Sequence, residues 1–197
     1  MASAPARQYL FLHGLEGSGE GHWQRWLAAR LEERGERVAF PSLPDEDDPQ
    51  PGAWEAELAR VLAELDTPPI VLAHSLGCLL WLRVASREPT VGKGSDPSRL
   101  TERVLLVAPP AIETVPAVVR FSHFEPNAAR VHAASGSIRI VCSDEDPYNP
   151  TGAQATHAGP LGIEADLIPG AGHVNVDAGY GPWPGVERWA LTGEPPR

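Results

Sequence analysis

The stretch IVLAHSLGCLLWL, residues 70–82, changes character in its middle. Ile70 to His74 form a continuous apolar run, the pattern of a strand buried on both faces of a parallel sheet. From Leu76 to Val84 the apolar residues run nearly all round a helical wheel, which predicts a helix packed deep against that sheet. A strand that turns sharply into a helix needs small residues two before and two after the turn. Larger side chains there run into the neighbouring strand and helix, and Ala73 and Gly77 meet that demand. Ser75 then stands at the carboxyl edge of the sheet, where open α/β folds place their sites. The helix that starts just after it directs partial positive charge at the same point. Alone, Ser-x-Gly after a strand suits a buried capping serine as well as a nucleophile, so the rest of the chain must decide.

The alternation continues outward from this point. Further apolar runs at Tyr9–Leu12, Arg37–Phe40, Val104–Ala108, Ile138–Cys142 and Glu164–Ile168 bring the expected strands to six. Between them, Trp23–Glu33 carries Trp23, Trp26, Leu27 and Leu31 at helical spacing, and Trp54–Leu65 aligns Trp54, Leu58, Val61, Leu62 and Leu65. Val186–Leu191 predicts a last short helix. Strands alternating with helices imply an α/β fold, a mostly parallel sheet sandwiched by helices. The weakest pattern is Ile112–Ser135, which with Pro116 and Pro126 predicts a loop holding one short helix. Gly92–Ser98 predicts a surface loop.

Length and composition narrow the classes. The 197 residues suit one domain, with short flexible ends at about 1–6 and 193–197. A net charge of −10 argues against nucleic acid or an anionic membrane as partner, since both require basic patches. No apolar run reaches the ~20 residues of a membrane span, and Met1 to Arg7 lack the apolar centre of a signal peptide, so the expected setting is cytoplasmic. Cys78 and Cys142 sit singly in apolar sequence, which gives neither a disulfide framework nor a metal site. The acidic run Asp45–Asp48 lies between prolines without the alternating ligands of a calcium loop, and reads as solvated surface. No metal or cofactor is expected.

Two later strand ends supply what a nucleophilic serine needs. In α/β hydrolases the triad runs in the order serine, acid, histidine. The fifth run ends in IRIVCSDEDPYNP, residues 138–150, and the sixth leads into LIPGAGHVN, residues 167–175. Of the acids, Asp146 precedes a tight D-P-Y-N-P turn that aims it inward; Asp144 is second, and Glu145 suits a solvated loop. His173 follows a glycine-rich turn that makes room beside the serine. His123, His132 and His157 fall in polar segments and are expected at the surface, while His74 is placed to orient the turn.

The acyl-transfer chemistry this implies also needs donors for an oxyanion. One is the backbone N–H of Leu76, just after the nucleophile. The other points to HGLEGSGEGHW, residues 13–23, where four glycines occupy the eight positions from 14 to 21. This loop has no lysine, and Glu16 and Glu20 would repel a polyanion, so it suits a single oxyanion better than a phosphate. Leu15 is expected to offer the N–H, Gly14 to allow close approach and His13 to brace the loop. Trp183, near His173, is equally suited to a pocket wall and to packing; Trp23 leans towards packing.

FLHGLEGSGEGHWQRWL, AHSLGC, SDEDPY and GAGHVNVDAGYGPWPG together resemble the YdeN and retinoblastoma-binding-protein-nine family of small serine hydrolases. The resemblance implies a compact α/β-hydrolase fold without a large lid domain, with nucleophile, acid and base on Ser75, Asp146 and His173. Ala73 departs from the family's more usual glycine, and Ala178 from a common serine. The expected activity is hydrolysis of a small ester, thioester or amide through an acyl-enzyme, with a small acyl compound as substrate and any protein partner unknown. The competing expectation is a non-catalytic protein-interaction module on a hydrolase scaffold.

Overall fold

The computed structural model describes residues 5–87, 100–111 and 116–196. Six strands form one sheet: β1 (Gln8–Leu12), β2 (Arg37–Ala39), β3 (Ile70–His74), β4 (Arg103–Val107), β5 (Ile138–Cys142) and β6 (Glu164–Leu167). Their order is β2-β1-β3-β4-β5-β6 and every pairing is parallel, with Leu10 opposite Val71, Val71 opposite Val104 and Val104 opposite Ile138. The chain builds outward from β1 to β2, then crosses to lay β3 on the other side of β1. The strand order therefore reverses between β1 and β3, and open α/β sheets leave a crevice at such a point.

Alternate residues of each strand face opposite layers. Leu10, Leu12, Val71, Ala73, Val104, Leu106 and Ile140 pack with α2 (Pro51–Glu64), α3 (Leu76–Ala85), α4 (Pro116–Ser122) and α5 (Ala128–Ala134). Tyr9, Phe11, Ile70, Leu72, Leu105, Val107 and Val141 pack with α1 (Trp23–Glu33) and α7 (Pro184–Thr192). Burial on both faces explains the unbroken apolar runs, at roughly 1.5–3 kcal/mol for each large side chain removed from water. In α3 even the helix is buried almost all round.

Most elements fall where the sequence places them, and three differences have local causes. The segment expected to hold one short helix holds two, α4 and α5. Asn127 starts the second by accepting from the N–H of Arg130, and Phe121 and Val131 anchor them in the core. The strand expected over Arg37–Phe40 ends at Ala39, and Phe40 instead stacks on Phe11. A π-helical turn at Gln154–Ala158, running into the short α6 (Gly159–Leu161), has no apolar period to announce it. It buries His157, whose ring bonds the carbonyl of Pro110, so the expectation of a surface histidine is corrected there. His123 and His132 are exposed as expected. The Gly92–Ser98 loop lies outside the described residues.

Candidate active site

Ser75 stands between β3 and α3 with φ 51° and ψ −121°, a conformation an L-residue adopts only under constraint. Its backbone N–H donates to the carbonyl of Val107, which ties the turn to β4. Gly77 explains why the turn can be so tight. A Cβ there would lie 2.5 Å from the carbonyl oxygen of Leu12 and 2.7 Å from that of His13, so α3 rests directly on the end of β1. Gly14 is the counterpart on the other side of the crevice: its missing Cβ would sit 2.8 Å from the Cβ of Ser75.

From Ser75 a chain of hydrogen bonds runs inward. Its Oγ lies 2.8 Å from Nε2 of His173, and Nδ1 of His173 lies 2.9 and 3.0 Å from the two carboxylate oxygens of Asp146. The ionised carboxylate can only accept, so Nδ1 carries the proton and Nε2 is free to take one from the serine. Asp146 is buried, and its Oδ1 also accepts from the N–H of Tyr148 in the turn. Asp144 is exposed and does a different job: it accepts from the N–H of Gly170, anchoring the loop that carries His173. Glu145 is exposed.

Across the crevice, the carbonyl of Gly14 accepts from Nδ1 of His13 at 2.8 Å and from the N–H of Gly17 at 3.3 Å. Nε2 of the same imidazole accepts from the N–H of Leu43, which assigns the tautomer. Burial lowers the pKa of His13 and keeps it neutral for this work. A planar trans peptide points its N–H opposite to its C=O, so holding the Gly14 carbonyl also aims the N–H of Leu15. Neither the Leu15 nor the Leu76 N–H meets an acceptor among the described residues. Leu15 follows Gly14, which packs on Ser75, and Leu76 follows Ser75 itself. No group of acidic, histidine or cysteine side chains among the described residues is placed to hold a metal.

A family profile described as Serine hydrolase matches residues 9–190. The chain belongs to the serine hydrolase family. It is 31% identical to the YdeN protein of Bacillus subtilis (strain 168) over 77 residues, which is 39% of this chain and 40% of that protein. That sequence match thus spans less than half the relative's length. The crystal structure of the Bacillus subtilis ydeN product superposes with a TM-score of 0.79 at 21% identity, covering 95% of this chain and 98% of that one. A YdeN-like protein from Pectobacterium atrosepticum gives 0.71 at 23% identity, over 96% and 91%. The thioesterase domain from the curacin biosynthetic pathway gives 0.64 at 16% identity, over 98% and 93%, and the shared architecture is the α/β-hydrolase fold.

In this serine hydrolase, Ser75, His173 and Asp146 are joined by hydrogen bonds, Gly14 packs on Ser75 with Leu15 next in the chain, His13 bonds the Gly14 carbonyl, and Leu76 directly follows the serine. Trp183 does not join them by any ring contact: it is buried edge-on against Trp23 at 5.6 Å and Tyr180 at 5.1 Å in the α1/α7 layer. The ring against His173 is instead Tyr148, 4.5 Å between centroids and partly exposed, a residue that its place in the D-P-Y-N-P turn could have suggested. His74 donates from Nε2 to the backbone carbonyl of His173 at 3.0 Å, so the strand carrying the nucleophile also holds the base. Burial, then the nearby His173 and His22, push the pKa of His74 well down and leave it neutral. No helix among the described residues is long and apolar enough to cross a membrane.

Proposed function

We propose that the protein hydrolyses a small ester, thioester or amide through a covalent acyl-enzyme on Ser75. The observation that carries this reading is the unbroken Ser75–His173–Asp146 chain, with the N–H groups of Leu15 and Leu76 meeting no acceptor among the described residues. In the first half-reaction His173 takes the serine proton as Oγ attacks the substrate carbonyl, and Asp146 stabilises the imidazolium. The oxyanion forms towards the N–H groups of Leu15 and Leu76, where one donor is typically worth ~10²–10³ in rate. His173 passes the proton to the leaving group, then deprotonates the water that clears the acyl group and returns its proton to Ser75. The chemistry needs no metal or cofactor. The acidic loop after β1, with Glu16 and no lysine, argues for a small acyl compound rather than a polyanion.

Fluorophosphonate labelling and p-nitrophenyl ester hydrolysis test the reading together. Wild-type protein should be labelled at Ser75, and Asp146→Asn should lose roughly 10⁴-fold in kcat by disturbing the tautomer. Asp144→Asn should keep most of the activity, since Asp144 holds Gly170 and not His173. Folded wild-type protein that resists the probe would overturn the enzyme reading, and the opposite mutant pattern would move the acid to Asp144.

A further inference from the structure

Gln24 sits in the first turn of α1 with no exposed surface. A buried amide persists only when its polar atoms are partnered, and the partners of this one are unusual in where they lie. Its Nε2 donates at 3.0 Å to the carbonyl of Leu12 in β1 and at 3.0 Å to the carbonyl of Leu72 in β3. Its Oε1 accepts at 2.5 Å from the hydroxyl of Ser18, midway along the loop that follows β1. The next residue adds a second tie, since Nε of Arg25 donates to the carbonyl of Ser18 and its guanidinium rests over the Phe40 ring.

Each tie leads to one side of the crevice. Leu12 is followed by the turn that presents Leu15, and Leu72 by the elbow that presents Leu76. The last register pair between these strands is Leu12 with Ala73. Beyond that pair the sheet ladder no longer sets their separation. One side chain bridges both strands at the point where they part.

We propose that Gln24, latched by Ser18, is a positioning residue that sets the spacing between the Leu15 and Leu76 N–H groups. This rests on the hydrolase reading above. Gln24 has no exposed surface for substrate to touch, so it acts through the two strand ends. Removing its amide leaves two carbonyls and one hydroxyl without this partner, and lets the two donors drift apart by up to about 1 Å. A displacement near 1 Å in such a site costs about 10²-fold in rate.

The test compares wild type with Gln24→Met, which keeps side-chain length, and Ser18→Ala, which removes only the latch. The substrate is p-nitrophenyl butyrate, and butylboronic acid serves as a tetrahedral adduct with an oxygen where the oxyanion develops. Gln24→Met should lower kcat about 10²-fold with KM little changed, because the loss falls on the transition state. Its affinity for the boronic acid should fall by the same factor as kcat/KM. Ser18→Ala should move both quantities in the same direction by roughly tenfold, about the worth of one hydrogen bond. Thermal melts and near-ultraviolet circular dichroism confirm folding, and if Gln24→Met does not fold, Ser18→Ala decides. A lowered melting temperature with unchanged kcat and unchanged boronic-acid affinity would overturn the proposal and reduce Gln24 to a fold-supporting residue. Failure of the wild type to react with a fluorophosphonate would overturn the hydrolase reading instead, so the two failures are separate.

Discussion

Gly14→Ala isolates the closest approach in the site. A Cβ at residue 14 lands 2.8 Å from the Cβ of Ser75 and 3.3 Å from its Oγ. Carbon atoms in good contact lie about 3.5–4.0 Å apart, so the two residues must separate by roughly 1 Å. Gly14 is not among the residues with left-handed φ, so alanine brings no backbone strain there and the effect is contact alone. Ser75 cannot yield easily, because its N–H is tied to Val107 and its Oγ to His173. The loop yields instead, and with it the N–H of Leu15. A shift of that size is worth about 10²-fold in kcat/KM, or ~2.7 kcal/mol of barrier. The overpacking itself costs about 1–3 kcal/mol of stability. Gly19→Ala is the matched control, since nothing lies within 4 Å of a Cβ at residue 19. The assay is ester hydrolysis and the rate of fluorophosphonate labelling, each alongside a thermal melt. Folded Gly14→Ala with wild-type kcat/KM and labelling rate would remove the loop from the reaction.

The histidines beside the triad give two further outcomes. His74→Phe keeps a ring but loses the donor to the His173 carbonyl, and should lower kcat about tenfold through a displaced base. His74→Gln, whose amide can still donate, should restore part of that loss; equal loss in both would show that packing and not the hydrogen bond matters. His22 caps α1 through Nδ1, and burial, with lesser help from His173 and Arg25, lowers its pKa from 6.5 to about 4. The folded form therefore holds His22 neutral while the unfolded chain takes up a proton below pH 6.5. Stability falls as pH drops from 6.5 towards 4, by up to about 3 kcal/mol from this residue, with buried His74 adding in the same sense. Urea midpoints between pH 7 and 5 measure the slope, and His22→Asn, which preserves a cap, should flatten it. An undiminished slope in that variant would exclude His22 as its source.

How much of this was legible in the sequence depended on whether a signal was local. Ile70–His74 and Leu76–Val84 announce their elements because burial on both faces leaves unbroken apolar runs, and the observed ends differ by at most one residue. Gly14 and Gly77 could be picked out because a strand-to-helix junction has few reasons to hold glycine. Asp146, singled out from Asp144 by the turn that follows it, is the carboxylate that meets His173. Gln24 gave no such sign: a glutamine in an amphipathic helix belongs on the wet face by pattern. Only the tertiary meeting of α1 with the ends of β1 and β3 makes burial tolerable, by supplying three partners. His157 was missed for the same reason, since its partner is a carbonyl 47 residues away.

The two glycines also predict that the site tolerates little change in its backbone. Gly77 lets α3 rest on the carbonyls of Leu12 and His13, and the same stretch of chain places Gly14 on Ser75. The end of β1 is thus held between α3 on one side and the nucleophile on the other. Any side chain at residue 77 pushes β1 away from α3, and because Gly14 follows two residues after Leu12, the push reaches the Leu15 donor. Gly77 and Gly14 should therefore couple energetically: alanine at both positions displaces the same segment, and the second substitution costs less in rate than it does alone. A double-mutant cycle in kcat/KM with independent, additive losses would mean that β1 and its loop move separately, and that Gly77 serves only the packing of α3.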